Sequence, residues 1–325
     1  MTGAPEITVV VPTHQRRALL VRTLEALVSQ SVGGDRYELA VVCDGCDDGS
    51  AEAARSAARP GGPRLEVIEQ PRSGAAAARN RGAAAGSAPR LLFLDDDMIA
   101  APDLLEVHLE PRATSADAVV LGVVGVHEDS PRSFLTEGLA RWADERDRQL
   151  ADASTEIPAT EVLTGHLALS KETFDSLQGF DAGFTAGGSF GGEDLDFGWR
   201  ARERGIPAIY EPRAVARQLW EKSFRSLCRN IRDSGSADVR LARKHPEMTS
   251  RLVLGSVDRL PPWERRALRM TLSRPRLATL AFGPALLGLD LVARLHGRGR
   301  RLEHLHAVCR SHLYALGMAD AGIGD

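Results

Sequence analysis

The chain has 325 residues, 43% of them hydrophobic and 26% charged, with a formal net charge of −3. Such a composition is that of a soluble globular protein able to bury a large core, which excludes a disordered chain, and the lack of a basic excess gives no reason to expect nucleic acid as a partner. Four cysteines, of which Cys43 and Cys46 form a lone C-x-x-C without a second pair or a nearby histidine, make neither a disulfide framework nor a zinc site, so Cys43 reads as a core strand residue.

The first residues, Met1 to Glu6, carry neither a basic nor a long apolar segment, and a cytoplasmic location is expected. Ile7 to Val11 is a β-branched run ended by Pro12, and Leu20, Leu24 and Leu27 then recur at helical spacing up to Gln30. The alternation continues with a strand Leu39 to Cys43, an alanine-rich helix Ser50 to Ala58 and a strand Leu65 to Ile68. A helix from about Gly74 to Ala85 and a strand Leu91 to Leu94 complete it. This rhythm predicts an α/β fold, a Rossmann-like, mostly parallel sheet flanked by helices, with ligands bound beyond the carboxyl ends of the strands. Thr13-His14, Asp44-Gly45, Arg72-Ser73-Gly74 and Asp95-Asp96-Asp97 all fall at such ends.

The pattern is less regular afterwards: a strand-like run Val119 to Val126, a helix Phe134 to Leu150, and apolar segments around Thr164 to Leu169, read as a second half of the same sheet. Glycine is dense between Gly179 and Gly192, which predicts a mobile closing loop over Gly183 to Gly192. Glu193-Asp194 then opens a helix that runs through Trp199 to Arg204 and ends at Gly205. Beyond Ser223 the chain turns to arginine-rich amphipathic helices. Leu277 to Leu289 is uncharged but, at about 13 residues, too short to span a bilayer unaided. A core or dimer-interface helix is expected there, with peripheral contact to the inner membrane face as the alternative. The resulting division is 1–105, 106–222 and a C-terminal helical extension 223–325.

Three adjacent carboxylates after a buried strand repel one another unless a cation or donor hydrogens compensate them, and oxygen ligands suit Mg²⁺ or Mn²⁺ held against phosphate oxygens. A plain turn, or a cap for a helix near Pro102, is the alternative. Asp44 can accept from a base-ring N–H or simply close an Asp-Gly turn, whereas Asp47 and Asp48 read as solvated turn residues. In Ser73 to Gly82 the small side chains of the helix let a ligand or a strand approach its backbone, and Arg79 offers charge to a diphosphate. Glu193 and Asp194 favour the helix dipole wherever they stand, and can also supply a base. His166 and His245 are either functional or satisfied structural residues.

Set in order, these pieces resemble the family 2 glycosyltransferases of the GT-A fold over roughly residues 6 to 215. The residues that carry the resemblance are Val9-Val10-Val11-Pro12-Thr13, Val41-Val42-Cys43-Asp44-Gly45, Ala77-Ala78-Arg79-Asn80-Arg81-Gly82, Phe93-Leu94-Asp95-Asp96-Asp97 and Gly192-Glu193-Asp194-Leu195-Asp196. Gly179-Phe180-Asp181 and the Gly205 to Tyr210 strand also fit.

The resemblance implies a cytosolic inverting transferase that uses a nucleotide diphosphate sugar, a UDP-sugar as the expected donor. Residues 1–105 then form the nucleotide-sugar half, and 106–222 the acceptor and catalytic half. By this reading Asp194 is the general base, with Glu193 beside it, and Asp97 with Asp95 ligates the metal. Pro12, Thr13, His14, Arg16, Asp44, Gly74, Arg79, Asp95 and Asp96 line the nucleotide, and Gly165, His166, Gly192 and Trp199 face the sugars. The family's usual aspartate pair after the second strand is here Cys43-Asp44, and the histidine often found some twenty residues past the base has no counterpart in Ala216 to Trp220. The acceptor is a carbohydrate, a lipid-linked intermediate or a small natural product. Peripheral membrane contact or a homodimer through the C-terminal helices is expected. Two rivals are a catalytically silent scaffold of this fold, against which the intact acidic clusters argue, and a sugar-nucleotide nucleotidyltransferase. The latter calls for a lysine-containing glycine-rich loop that Pro12 to Arg17 lacks.

Overall fold

The computed structural model describes residues 3–110, 118–152 and 156–322. It divides the chain into two compact units, the first Met1–Asp129, Trp142–Gly188 and Glu193–Leu219, the second Ser130–Arg141, Ser189–Gly192 and Trp220–Asp325.

Among the described residues the first unit carries eight strands: β1 (Ile7–Thr13), β2 (Tyr37–Asp44), β3 (Arg64–Gln70), β4 (Arg90–Leu94), β5 (Met98–Ala100), β6 (Val119–Val123), β7 (His166–Ser170) and β8 (Ala208–Gln218). They lie in the order β3-β2-β1-β4-β7-β6-β8-β5. The pairs β3-β2, β2-β1, β1-β4 and β6-β8 are parallel, whereas β7 runs antiparallel to both its neighbours and β5 antiparallel to β8. The helices are α1 (Arg17–Leu27), α2 (Ser50–Ser56), α3 (Ala75–Ala85), α4 (Leu104–Leu109), α5 (Phe134–Leu150), α6 (Lys171–Ser176) and α7 (Glu193–Glu203); α5 begins in the second unit.

Alternation along the strands sorts the core into two faces. Val9, Val11, Leu39, Val41, Cys43, Leu92 and Leu94 pack with α1, whereas Val10, Ala40, Leu91 and Phe93 pack with α3, Phe174, Phe180 and Phe197. Each large apolar side chain so buried contributes about 1.5–3 kcal/mol. Cys43 is a core strand residue, as expected. The small residues of α3 let it lie against the sheet: a Cβ added at Gly82 would stand 2.4 Å from Val10 Cγ1.

Strand β1 does not stop at Pro12 but continues to Thr13. Its partner β4 pairs with it only as far as Val10, so the N–H that proline lacks has no ladder bond to lose on that side. The short β5 and the extension of the last strand to Gln218 were not foreseen. Helix α5 has the expected bounds.

The second unit contains α8 (Phe224–Lys244), α9 (Pro262–Ser273), α10 (Pro275–Arg294) and α11 (Arg300–Asp320). Helices α8 and α11 touch backbone to backbone: a Cβ at Gly235 would stand 2.0 Å from the Tyr314 carbonyl oxygen, and one at Gly317 1.7 Å from that of Arg232. His245 is buried at the end of α8, its backbone N–H donating to the Leu241 carbonyl.

Helix α10 corrects the sequence reading twice. It is 20 residues long, because the helix continues through Pro284 and takes in Arg276, Asp290 and Arg294 at the edges of the uncharged run. It is also not a core helix, since Leu277, Leu280, Leu287 and Leu291 are 59–75% exposed. By length and composition it is apolar enough to cross a membrane, with a mean hydropathy of 1.4.

Candidate active site

The polar motifs gather at the carboxyl ends of β1, β2 and β4, where parallel strands stop and the backbone turns. At the end of β2 the Asp44 carboxylate is 5% exposed and accepts from Gln70 Nε2 at 2.8 Å, Ser73 N at 2.7 Å and Gly74 N at 2.8 Å. Asp44 therefore anchors the turn into α3. Gly74 has φ +97°, and a Cβ there would meet the Thr185 carbonyl oxygen at 2.0 Å, so only glycine closes this turn. His14 contacts the Asp44 carbonyl through Nδ1 at 2.6 Å, and Pro12 is buried beneath it in β1. Asp47 accepts from Gln15 Nε2 at 2.5 Å, and Asp48 accepts from the N–H groups of Arg17 and Ser50 rather than being merely solvated.

Arginines offset the charge of the neighbouring carboxylates Asp95, Asp96 and Asp97. Arg16 donates to Asp96 Oδ1 at 2.5 Å and to Asp97 Oδ2 at 2.6 Å. Asp96 also accepts from the Thr13 hydroxyl at 2.6 Å and is 3% exposed, so its expected place beside a nucleotide is corrected: both its oxygens are taken inside the protein. Burial pushes the Asp96 carboxyl up to about 7 even against the pull of Arg16. Asp97 accepts in addition from Gln218 Nε2 at 3.1 Å. Gln218 thus reaches the acidic cluster from the segment where the resemblance led us to seek a histidine. Two polar residues 121 positions apart gave no sequence signal of this contact.

Arg79 corrects another expectation. Instead of reaching outward for a diphosphate it is 4% exposed and bridges the two acidic clusters, donating through Nη2 to Asp95 Oδ1 at 2.7 Å and through Nη1 to Glu193 Oε1 at 2.9 Å. The sequence placed Arg79 on the right helix but could not show which way the side chain points. Its bond to Glu193 brings the first turn of α7 to the end of β4. Gly165 completes that corner: its carbonyl accepts from Asp95 N at 3.3 Å, and a Cβ there would stand 3.3 Å from Asp95 Oδ2.

Asp194 keeps part of its surface open, and its Oδ1 accepts from Leu195 N at 2.9 Å. Position at a helix N-terminus alone would favour the ionised form. Desolvation and then the neighbouring Glu193 outweigh that effect and push the Asp194 carboxyl up to about 7, a value suited to accepting a proton near neutrality.

Two residues expected to face sugars lie elsewhere. His166 is 1% exposed; its Nδ1 donates to the Val123 carbonyl at 3.0 Å and its Nε2 accepts from His108 Nε2 at 2.9 Å. Burial pushes its pKa down to about 4, so the pair is neutral core. Trp199 is buried on α7 with the Arg202 guanidinium 5.5 Å from its ring. At 100° per residue it lies about 140° round the helix from Asp194. Gly192 has φ +98°, which turns the chain into α7. In the expected closing loop, Gly187, Gly188 and Gly191 are also left-handed; its residues up to Gly188 belong to the first unit and Ser189–Gly192 to the second. A cavity of about 510 Å³ opens at the opposite end of the sheet, against Val119 and Ala208, and none of the predicted site residues lines it.

Among the described residues no group of three or more histidine, cysteine or carboxylate side chains forms a ready metal cage. The donors suit a hard cation bound through one or two carboxylates and completed by phosphate oxygens and water. Asp97 Oδ1 is buried without a hydrogen-bond partner among the described residues, and the Asp95 side chain is 35% exposed. These two aspartates fit Mg²⁺ or Mn²⁺, with Arg16 already neutralising the second oxygen of Asp97.

Comparison with known proteins places these residues in a wider set. The model of glycosyl transferase family 2 matches residues 8–175, and that of the N-terminal domain of galactosyltransferase matches residues 145–216. Two validoxylamine A glucosyltransferases are similar, one from Streptomyces hygroscopicus subsp. limoneus and one from subsp. jinggangensis. Each is 30% identical over 311 residues and 81% of this chain, which spans 64% and 69% of their respective lengths. A pre-mycofactocin glycosyltransferase of Mycobacterium tuberculosis is 28% identical over 77% of this chain and 50% of its own. Among solved structures, a mannosyltransferase from Pyrobaculum calidifontis in complex with GDP-Man and Mn²⁺ superposes with a TM-score of 0.65 at 21% identity, covering 99% of this chain and 89% of its own. The likeness shows the same fold.

Proposed function

Because the chain belongs to glycosyltransferase family 2, we propose that it transfers a sugar from a nucleoside diphosphate donor to an acceptor hydroxyl by a single inverting displacement, with Asp194 as the base. The observation that carries this reading is the Arg79 bridge, which joins the first turn of α7 to the carboxylates at the end of β4. Base and acidic cluster are thereby parts of one site.

In this reading Asp194 takes the acceptor's proton as the acceptor oxygen bonds to the anomeric carbon. The bond from that carbon to the diphosphate breaks, and its electron pair leaves with the nucleotide. A carboxyl with a pKa of about 7 is matched to that transfer. Glu193, held by Arg79, fixes the first turn of α7 and so the position of its neighbour. Asp95 and Asp97 would hold Mg²⁺ or Mn²⁺, and the cation would supply positive charge that offsets charge on the leaving diphosphate. The turn anchored by Asp44 and the loop from Thr13 to Arg16 border the nucleotide. A UDP-sugar remains the proposed donor; the relatives named for glucose and for GDP-Man support a hexose. The acceptor is a carbohydrate, a lipid-linked intermediate or a small natural product, and the protein works in the cytoplasm.

Thermal shift with nucleoside diphosphates and their sugars tests the proposal. UDP raises the melting temperature in the presence of Mg²⁺ or Mn²⁺ but not in excess chelator; at a hundredfold excess over Kd the stabilisation is about 2.7 kcal/mol. A larger shift with GDP replaces the base assignment. Equal shifts with and without the cation, or none with any nucleotide, refute the reading and favour a silent scaffold.

A further inference from the structure

We propose that the outer face of α10 docks the protein on an anionic lipid bilayer, the helix lying in the plane of the interface. Leu277, Leu280, Leu287 and Leu291 are 59%, 75%, 68% and 60% exposed, and Leu295, just past the helix end, is 73% exposed. Their spacing places them on one stripe, with Ala281, Pro284 and Gly288 between them. An exposed leucine stripe the length of a helix is what an interfacial helix buries among acyl chains.

The opposite face is occupied. Phe282, Leu286, Leu289 and Val292 pack with Phe134, Phe224 and Cys309 in the unit's own core. A spanning helix would have to leave that core, whereas a helix lying flat keeps it. Charge then selects the occupant. Between Arg274 and Arg301 the sequence carries six arginines and one acidic residue, a segment charge of +5 in a chain of −3. Arg274 and Arg276 stand at one end of the stripe, and Arg294, Arg298, Arg300 and Arg301 at the other, all exposed. Asp290, the acidic residue, is paired with Arg225 and Arg294, and Arg298 is paired with Glu137 from outside the segment, so Arg274 and Arg276 at one end and Arg300 and Arg301 at the other carry the charge argument. Exposed arginines flanking an apolar stripe complement anionic headgroups. A second copy of the chain fits worse, because with both ends basic either direction of pairing sets arginines against arginines. Docking does not depend on the transferase reading.

Vesicle flotation of the full chain is the test. The protein floats with vesicles of phosphatidylcholine and phosphatidylglycerol at least about tenfold more than with phosphatidylcholine alone, and high salt weakens the binding. The double variant Leu280→Glu, Leu287→Glu loses about tenfold or more of that partition while its melting temperature and nucleotide-dependent shift stay at wild-type values. Equal binding to neutral vesicles, binding to neither kind, or binding unchanged in the double variant overturns the proposal. So does a stable dimer in sedimentation velocity that the double variant dissociates, or resistance to alkaline extraction, which would mark a spanning helix.

Discussion

Asp194→Asn lowers the rate of sugar transfer by about 10² or more while leaving donor affinity near wild type, because the substitution keeps size and hydrogen-bonding capacity but removes the basic oxygen. The wild-type rate rises with pH through about 7, where the carboxyl loses its proton, and the variant lacks that rise. Stability separates a base from a simple helix cap. The folded-state pKa lies above the ordinary 3.8, so the folded protein holds a proton between these values that the unfolded chain releases. Its stability therefore falls as pH rises from about 4 through 7 and is flat above. Asparagine carries no such penalty and is at least as stable as the wild type at pH 8. A residue that served only to cap α7 would instead cost about 1 kcal/mol when removed and leave transfer nearly intact. Rate, donor affinity and melting temperature measured on the same variant distinguish the two, and near-wild-type transfer by Asp194→Asn contradicts the assignment.

Arg79→Met produces the largest loss of stability, about 3–5 kcal/mol, because it leaves the Glu193 carboxylate buried without its cation. The melting temperature drops on the order of 10 °C. Arg79→Lys recovers only part of this, since a single ammonium does not reproduce two guanidinium arms set on two carboxylates. Glu193→Gln removes the charge that Arg79 offsets, so the double variant with Arg79→Met is less impaired than the single substitutions predict by addition. Melting curves of the four proteins check this. A loss below about 0.5 kcal/mol in Arg79→Met would mean that the bridge does not hold α7 to the end of β4.

Much of the first unit was legible because its signals are local. Apolar runs marked β1, β2 and β4, the 3.6-residue spacing marked α1, and Asp44 and the Asp95 to Asp97 triplet stood where strands end. The errors concern side-chain direction and contacts between distant segments. His166 shares strand parity with Ala168, and the face it enters is covered by α4, whose position no local pattern reveals. Arg79 turns inward because Asp95 and Glu193, 16 and 114 residues away, together offset its burial. β5 has three residues, too few for a period to register, and owes its existence to pairing with β8. In α10 the interruption by Gly283-Pro284 and the charged edges hid the helix length, and the exposure of its leucines is a tertiary fact.

The most direct measurement is the release of nucleoside diphosphate from a panel of sugar donors, followed with wild type, Asp194→Asn and Asp97→Asn in Mn²⁺ and in chelator. The account predicts turnover of at least one nucleotide sugar by the wild type, abolished by chelator, reduced by about 10² or more in Asp194→Asn with donor affinity retained, and reduced together with donor affinity in Asp97→Asn. Undiminished release in chelator, or by Asp194→Asn, would contradict it.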